Sequence, residues 1–199
     1  MITQKEINQM LDKHELWLSG EKTKGVQLFV EDGVFSELNV ADRHVIDVML
    51  AGSKIKKCTL ANTDFYYSNL ASVIFLEVKM SGVILTKSNL DYSIVKNCDV
   101  TSSKIIRATF CEAEVEGVDF FQFRYDKGKL YGCNSENVKF INCDLTWASF
   151  RNASLQNVDF TSADLSNADF TNAKIKNVDY TRVIYNDKTK WPEGSQRST

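Results

Sequence analysis

The stretch Ala163-Asp164-Leu165-Ser166-Asn167-Ala168-Asp169-Phe170-Thr171-Asn172 states one five-residue unit twice: a small residue, Asp, a large apolar residue and two polar ones. Stepping outward by fives from Leu165 and Phe170 gives a column from Val30 to Tyr185 in which 31 of 32 positions are apolar or aromatic, against 43% hydrophobic residues overall. Ser135 is the single break, and the register resumes at Phe140 unchanged. A second column, two residues earlier, is held to small side chains such as Cys58, Thr63, Ser68, Ala108, Ala148, Ala153, Ala163 and Ala168. A period of five matches neither the 3.6 of a helix nor the alternation of a plain strand. Residues two apart on an extended segment point to the same side. Each unit therefore sends its small and its large residue inward together and turns a corner with the rest.

These units resemble the pentapeptide repeat family, most closely at 163–172, with Val158-Asp159-Phe160 and Cys143-Asp144-Leu145 near the same pattern. The resemblance runs from about Leu28 to Tyr185. It implies an all-β fold, a right-handed quadrilateral parallel β-helix with four units per coil. About eight coils are expected, and at ~4.8 Å per stacked strand they make a rod about 38 Å long. The expected organisation is an N-terminal capping helix over 1–20, a pentapeptide-repeat solenoid over 21–186 and a C-terminal tail over 187–199.

A solenoid end exposes unpaired strand edge and apolar interior, so it needs a cover. Thr3 and Glu6 form a capping-box pattern, and Ile7, Met10, Leu11, Trp17 and Leu18 follow at helical spacing up to Gly20. Arg43 stands where a small inward residue belongs, and a guanidinium has no place in a dry core without a partner. The first coil, about Gly25 to Val45, is expected to be irregular with Arg43 turned outward. Tyr180, Tyr185 and Trp191-Pro192 are candidates to close the far end, or to pair two copies through the C-terminal coils. At the one coil where both columns fail, Phe123 is predicted to cross the interior and fill the space left by Ser135. The competing expectation is that Phe121 to Asn137 bulges outward as a binding loop.

The chemistry-bearing motifs of enzymes are missing from the sequence. His14 and His44 are the only histidines, and neither a P-loop, a GxGxxG, an HExxH nor a nucleophile elbow occurs. A filled rod also offers little of the concavity that a reaction site needs. A non-enzyme without cofactor or metal is expected. Of five cysteines, Cys58, Cys98, Cys133 and Cys143 fall in the small inward column, and Cys111 is the one outward thiol. The stretch Met1 to Gly20 lacks an apolar run behind a basic start, and no span of membrane length occurs, so cytoplasmic residence without membrane contact is expected. The formal charge of -2 gives no general attraction to nucleic acid.

Function then falls to the outer faces. The twenty-residue coil brings Lys87, Lys104, Arg107, Arg124 and Lys127 together as a basic patch, with Tyr66 and Tyr67 toward one end and Trp147 toward the other. Arg, Tyr and Trp are the residues enriched in binding hot spots. This favours a rigid protein-binding module. The family resemblance implies an alternative, partial mimicry of DNA toward a type II topoisomerase such as DNA gyrase, with Asp159, Asp164, Asp169 and Asp179 as the acidic face. Duplex DNA carries one charge per ~1.7 Å of axis, so a mimic of this length wants roughly twenty negative charges. From Ala108 to Tyr185 the chain has eleven acidic and eight basic residues, a net of -3. A bacterial effector binding host proteins is the third class the sequence admits.

Overall fold

The computed structural model describes residues 2–21, 23–121, 130 and 132–193. One helix, α1 (Gln4–Leu18), precedes a run of short parallel strands: β1 (Val34–Ser36), β2 (Lys54–Lys56), β3 (Ile74–Leu76), β4 (Ile94–Lys96), β5 (Glu114–Glu116), β6 (Asp119–Phe121), β7 (Asn134–Glu136), β8 (Lys139–Ile141), β9 (Ser154–Asp159) and β10 (Lys174–Asp179). Phe35 pairs with Ile55, Ile55 with Phe75, Phe75 with Val95 and Val95 with Val115, always twenty residues apart. The ladder continues through Ser135 and Leu155 to Ile175. This is a parallel β-solenoid with a twenty-residue coil and four faces. Eight rungs lie on the first face between Phe35 and Ile175, so the stack from β1 to β10 makes about seven turns, roughly 34 Å at ~4.8 Å per step.

The corner has one backbone solution. Every described fifth residue from Asp32 to Arg182 has a positive φ, between 52° and 62° at the non-glycine positions. The N–H of such a corner residue reaches the adjacent coil: Asn62 donates to Ser81 O at 2.9 Å, Tyr67 to Thr86 O at 3.0 Å and Lys87 to Ile106 O at 2.9 Å. The Asp or Asn ahead of the large residue fixes the entry to the corner. Oδ1 of Asp64, Asn69, Asp99, Asp144 and Asp164 each accepts from the N–H two residues on, at 2.9 to 3.2 Å. That local bond is what short polar side chains supply at turns.

Inside, the large column is buried from Phe35 to Phe170 wherever its side chains are described, and the small column packs between its members. Most buried hydroxyls in the small slot donate to the neighbouring coil, as Ser68 does to Val45 O at 3.2 Å and Ser88 to Phe65 O at 2.7 Å, while Ser93 Oγ is buried without a partner. Two aromatic columns stiffen the C-terminal half. Phe140, Phe160 and Tyr180 stack at 5.3 and 5.7 Å, and Phe150, Phe170 and Trp191 at 4.7 and 5.8 Å. Trp191 meets Tyr180 and Tyr185 edge-on at 5.3 and 5.4 Å, and Lys190 bridges Asp169, so the ladder runs past residue 186 before it closes. Ser135 is fully buried in the large column, while Phe123 lies outside the described residues.

At the other end the cap replaces a missing coil group by group. Thr3 and Glu6 make the reciprocal capping box at the start of α1. The Gln4 amide imitates a strand, donating from Nε2 to Asn39 O at 2.8 Å and accepting at Oε1 from Asn39 N–H at 2.7 Å. Gln27 Nε2 donates to Asp47 O at 2.7 Å. Arg43 points out of the core and holds the helix by Nε to Glu15 and Nη2 to Asp12, both at 2.8 Å. Contrary to expectation the first coil is regular from Asp32 onward, because Arg43 leaves the inward slot without disturbing the corners at Glu37, Asp42 and Asp47. Among the described residues no helix is long and apolar enough to cross a membrane.

His14 is the buried polar centre of this cap. Leu28 N–H donates to its Nδ1 at 3.0 Å, so Nε2 carries the proton and donates to Ile46 O at 2.9 Å. The ring is fully buried and stacks on Trp17. Burial holds its pKa below the ordinary histidine value, although the Ile46 carbonyl, Asp47 and Glu15 favour the cation. The unfolded chain therefore takes up the proton first as pH falls. Its contribution is complete above the unfolded value of about 6.5 and is lost as pH drops through the lowered folded value. Amide exchange of Leu28 should accelerate in that window, and His14→Phe should remove the acceleration.

Candidate functional site

The third face, centred on Val45, Phe65, Leu85 and Ile105, meets the fourth, centred on Leu50, Leu70, Leu90 and Phe110, at a corner occupied on successive described coils by Asp47, Tyr67, Lys87, Arg107, Trp147 and Asn167. All have left-handed backbone. In that conformation a Cβ is crowded by the following carbonyl, and Asn, Asp and Gly are the residues that tolerate it. The other three corner columns comply in part: Asp42, Asn62, Gly82 and Asn142 make up much of one, and Asn97, Gly117, Asn137, Asn157 and Asn177 much of another, while Glu37, Lys57, Glu77, Tyr92, Glu112 and Arg182 depart from the preference. The Asn column adds its own side-chain ladder, with Asn177 Nδ2 on Asn157 Oδ1 at 3.1 Å and Asn157 Nδ2 on Asn137 Oδ1 at 2.9 Å. Tyr, Lys, Arg and Trp on the third corner cannot be explained by what the backbone prefers.

These side chains are on the outside. Tyr67 is 63% and Trp147 54% exposed, and Lys87, Lys104 and Arg107 are exposed as well. Lys104 lies on the third face itself, three residues before the Arg107 corner, and is paired in register with Ile84. Tyr66 is half-buried beside Tyr67, their ring centroids 6.3 Å apart. Lys87 Nζ sits 5.3 Å over the Tyr66 ring and donates to its hydroxyl at 2.9 Å, which fixes one positive charge on the edge. Some cations elsewhere are paired: Lys57 with Glu77, Lys96 with Glu114 and Glu116, Arg151 and Lys190 with Asp169. Lys87, Lys104 and Arg107 make no ion pair among the described residues.

The structure thus brings Tyr66, Tyr67, Lys87, Lys104 and Arg107 onto three successive rungs and puts Trp147 further along the same corner. Arg124 and Lys127 lie outside the described residues. The acidic set is dispersed: Asp159 and Asp179 stack on the second face, Asp164 lies on the third and Asp169 on the fourth, so the four do not form one face. Each carboxylate accepts from the N–H two residues on, and Asp169 also pairs with Arg151 and Lys190. Hydrogen bonds from Thr171 and the charge of Lys190 hold Asp169 below the usual carboxylate range despite its partial burial, and bonds from Thr181 do the same for Asp179. The buried thiols are unreactive by environment, burial pushing Cys98 up to about 11 and Cys133 up to about 12. Reading the sequence by columns of five missed Tyr92, a 64% exposed aromatic at another left-handed corner; reading the third polar position of each unit as a corner would have found it.

Residues 128–157 and 143–179 match the family described as pentapeptide repeats, in eight copies. The match makes 128–179 a run of pentapeptide repeats, and the solenoid continues the same five-residue unit N-terminal to it. Among solved structures it is similar to a trypsin-treated form of QnrB1, a plasmid-mediated fluoroquinolone resistance protein, at 17% identity over 81% of this chain and 84% of that one, with a TM-score of 0.54. HetL, a pentapeptide repeat protein involved in heterocyst differentiation regulation in the cyanobacterium Nostoc, aligns at 12% identity over 92% and 95% of the two chains with a TM-score of 0.28. Among curated proteins no sequence matches it.

Replacing a bulky corner residue by Asn relieves the left-handed backbone. Arg107→Asn should stabilise the fold by about 0.5–1 kcal/mol, whereas Asn157→Arg should destabilise it by a similar amount. Equilibrium denaturation of the two variants checks the sign of each change.

Proposed function

We propose that this protein is a non-enzymatic, rigid protein-binding module that engages its partner through the corner between the third and fourth faces. The observation that supports this reading is the placement of Tyr67, Lys87, Arg107 and Trp147 at exposed left-handed positions, against the preference of the backbone. Side chains kept where they cost stability point to selection for something other than stability. The edge combines aromatic surface with unpaired charge, the composition of a binding hot spot, on a scaffold stiff enough to hold it without further ordering. The exposed Ile184 and Tyr185 on the last coil support a module that also pairs with a second copy through that end.

A second reading is partial DNA mimicry toward a type II topoisomerase such as gyrase, supported by the likeness of fold to a fluoroquinolone resistance protein. The dispersal of Asp159, Asp164, Asp169 and Asp179 over three faces weighs against it. Affinity capture from bacterial lysate separates the two. Lys87→Glu with Arg107→Glu should abolish capture of the principal partner while leaving the melting temperature within a few degrees, since exposed charges contribute little to stability. Asn in place of the four aspartates keeps their turn bonds and should leave capture unchanged. Loss of gyrase inhibition or protection in the Asn variant, with capture untouched by the Glu pair, would reverse the order of the readings.

A further inference from the structure

Resting on the module reading, the geometry points to the chemistry of the partner: we propose that the edge formed by Tyr66, Tyr67, Lys87, Lys104 and Arg107 binds a short extended protein segment in which an apolar or aromatic residue is followed closely by carboxylates. The order of the groups along the rod carries this. Aromatic surface lies on one rung, a single fixed cation on the next, and two cations, Lys104 and Arg107, on the third. From Tyr67 to Arg107 is two rungs, roughly 10 Å, which an extended chain spans in about three residues. A segment running along this edge would pack its apolar residue against Tyr67 and set acidic side chains opposite Lys87, Lys104 and Arg107. Arg107 presents a fork suited to a carboxylate, and none of the three cations has an intramolecular ion pair to break on binding among the described residues.

Protein carboxylates fit better than a nucleic-acid backbone because carboxylates flank the positive stretch. The column that holds Lys104 has Asp64 two rungs to one side and Asp144 two rungs to the other, and Asp164 beyond it. A phosphate chain continuing in either direction would meet those carboxylates, and the net charge of -2 supplies no long-range pull on a polyanion. A compact anionic cluster avoids both penalties.

Fluorescence anisotropy tests this with fluorescein-labelled peptides in a Gly/Ser background, one carrying a Trp followed by a short run of Glu, one with Gln for Glu, one with Ser for Trp, and a labelled oligo-dT. The Trp/Glu peptide should bind saturably, and each altered peptide should bind about tenfold more weakly or less. Added salt should weaken binding of the Trp/Glu peptide. Arg107→Asn and Lys104→Ser, which leave the corners able to fold, should each weaken it by a similar factor. Equal binding of the Glu and Gln peptides, indifference to both variants, or tighter binding of oligo-dT would overturn the proposal. If the peptides fail while Lys87→Glu with Arg107→Glu still abolishes lysate capture, the acidic-segment inference falls and the module stands. If capture also survives those changes, both fall.

Discussion

Everything in this fold depends on a residue in the left-handed region at every corner. Two inward residues per unit leave too few positions for a gradual bend, so the backbone must reverse hand locally, and it does so at each described corner from Asp32 to Arg182. The reversal costs on the order of 1 kcal/mol wherever the residue is neither Gly nor Asn. It is repaid collectively, because the corner N–H groups bond the next coil and the two inward columns close-pack along the whole rod. A cooperative stack tolerates unfavourable single corners that an isolated turn would not. That tolerance leaves corner side chains open to selection for binding.

The ends follow from the same constraint. A coil offers a ring of backbone donors and acceptors to its neighbour, and the outermost ring must be answered by something else. At the N-terminal end the answer comes from side chains of different kinds, the Gln4 and Gln27 amides and the His14 imidazole, with Arg43 locking the helix from outside. At the C-terminal end Asn186 Oδ1 accepts from Asn167 N–H, Thr189 Oγ1 donates to Leu165 O and the Lys190 backbone pairs with Ala168 and Phe170, while Trp191 covers the apolar interior by continuing the Phe150–Phe170 column.

The inward columns were legible because burial enforces size and polarity: Leu165 and Ala163 could be assigned from spacing alone. So were the capping box at Thr3 and the outward turn of Arg43, each dictated by local chemistry. The regularity of the first coil was not legible, since only the structure shows that an outward Arg43 leaves the corners intact. The dispersal of Asp159, Asp164 and Asp169 followed arithmetically from a twenty-residue coil, yet their carboxylates had to be seen on their own backbone N–H groups to be read as turn formers. Sequence spacing brought Lys87, Arg107 and Trp147 together, but that each sits on left-handed backbone unfavourable to its type is read from the φ angles.

The central claim is that one corner of four is the working surface. Acetylation of lysines in the captured complex, read by mass spectrometry against the free protein, tests it without altering a residue. Lys87 and Lys104 should become protected on partner binding, while the exposed Lys54, Lys56, Lys174 and Lys176 of the first face remain reactive. Protection of the first-face lysines with Lys87 and Lys104 still fully modified would contradict it.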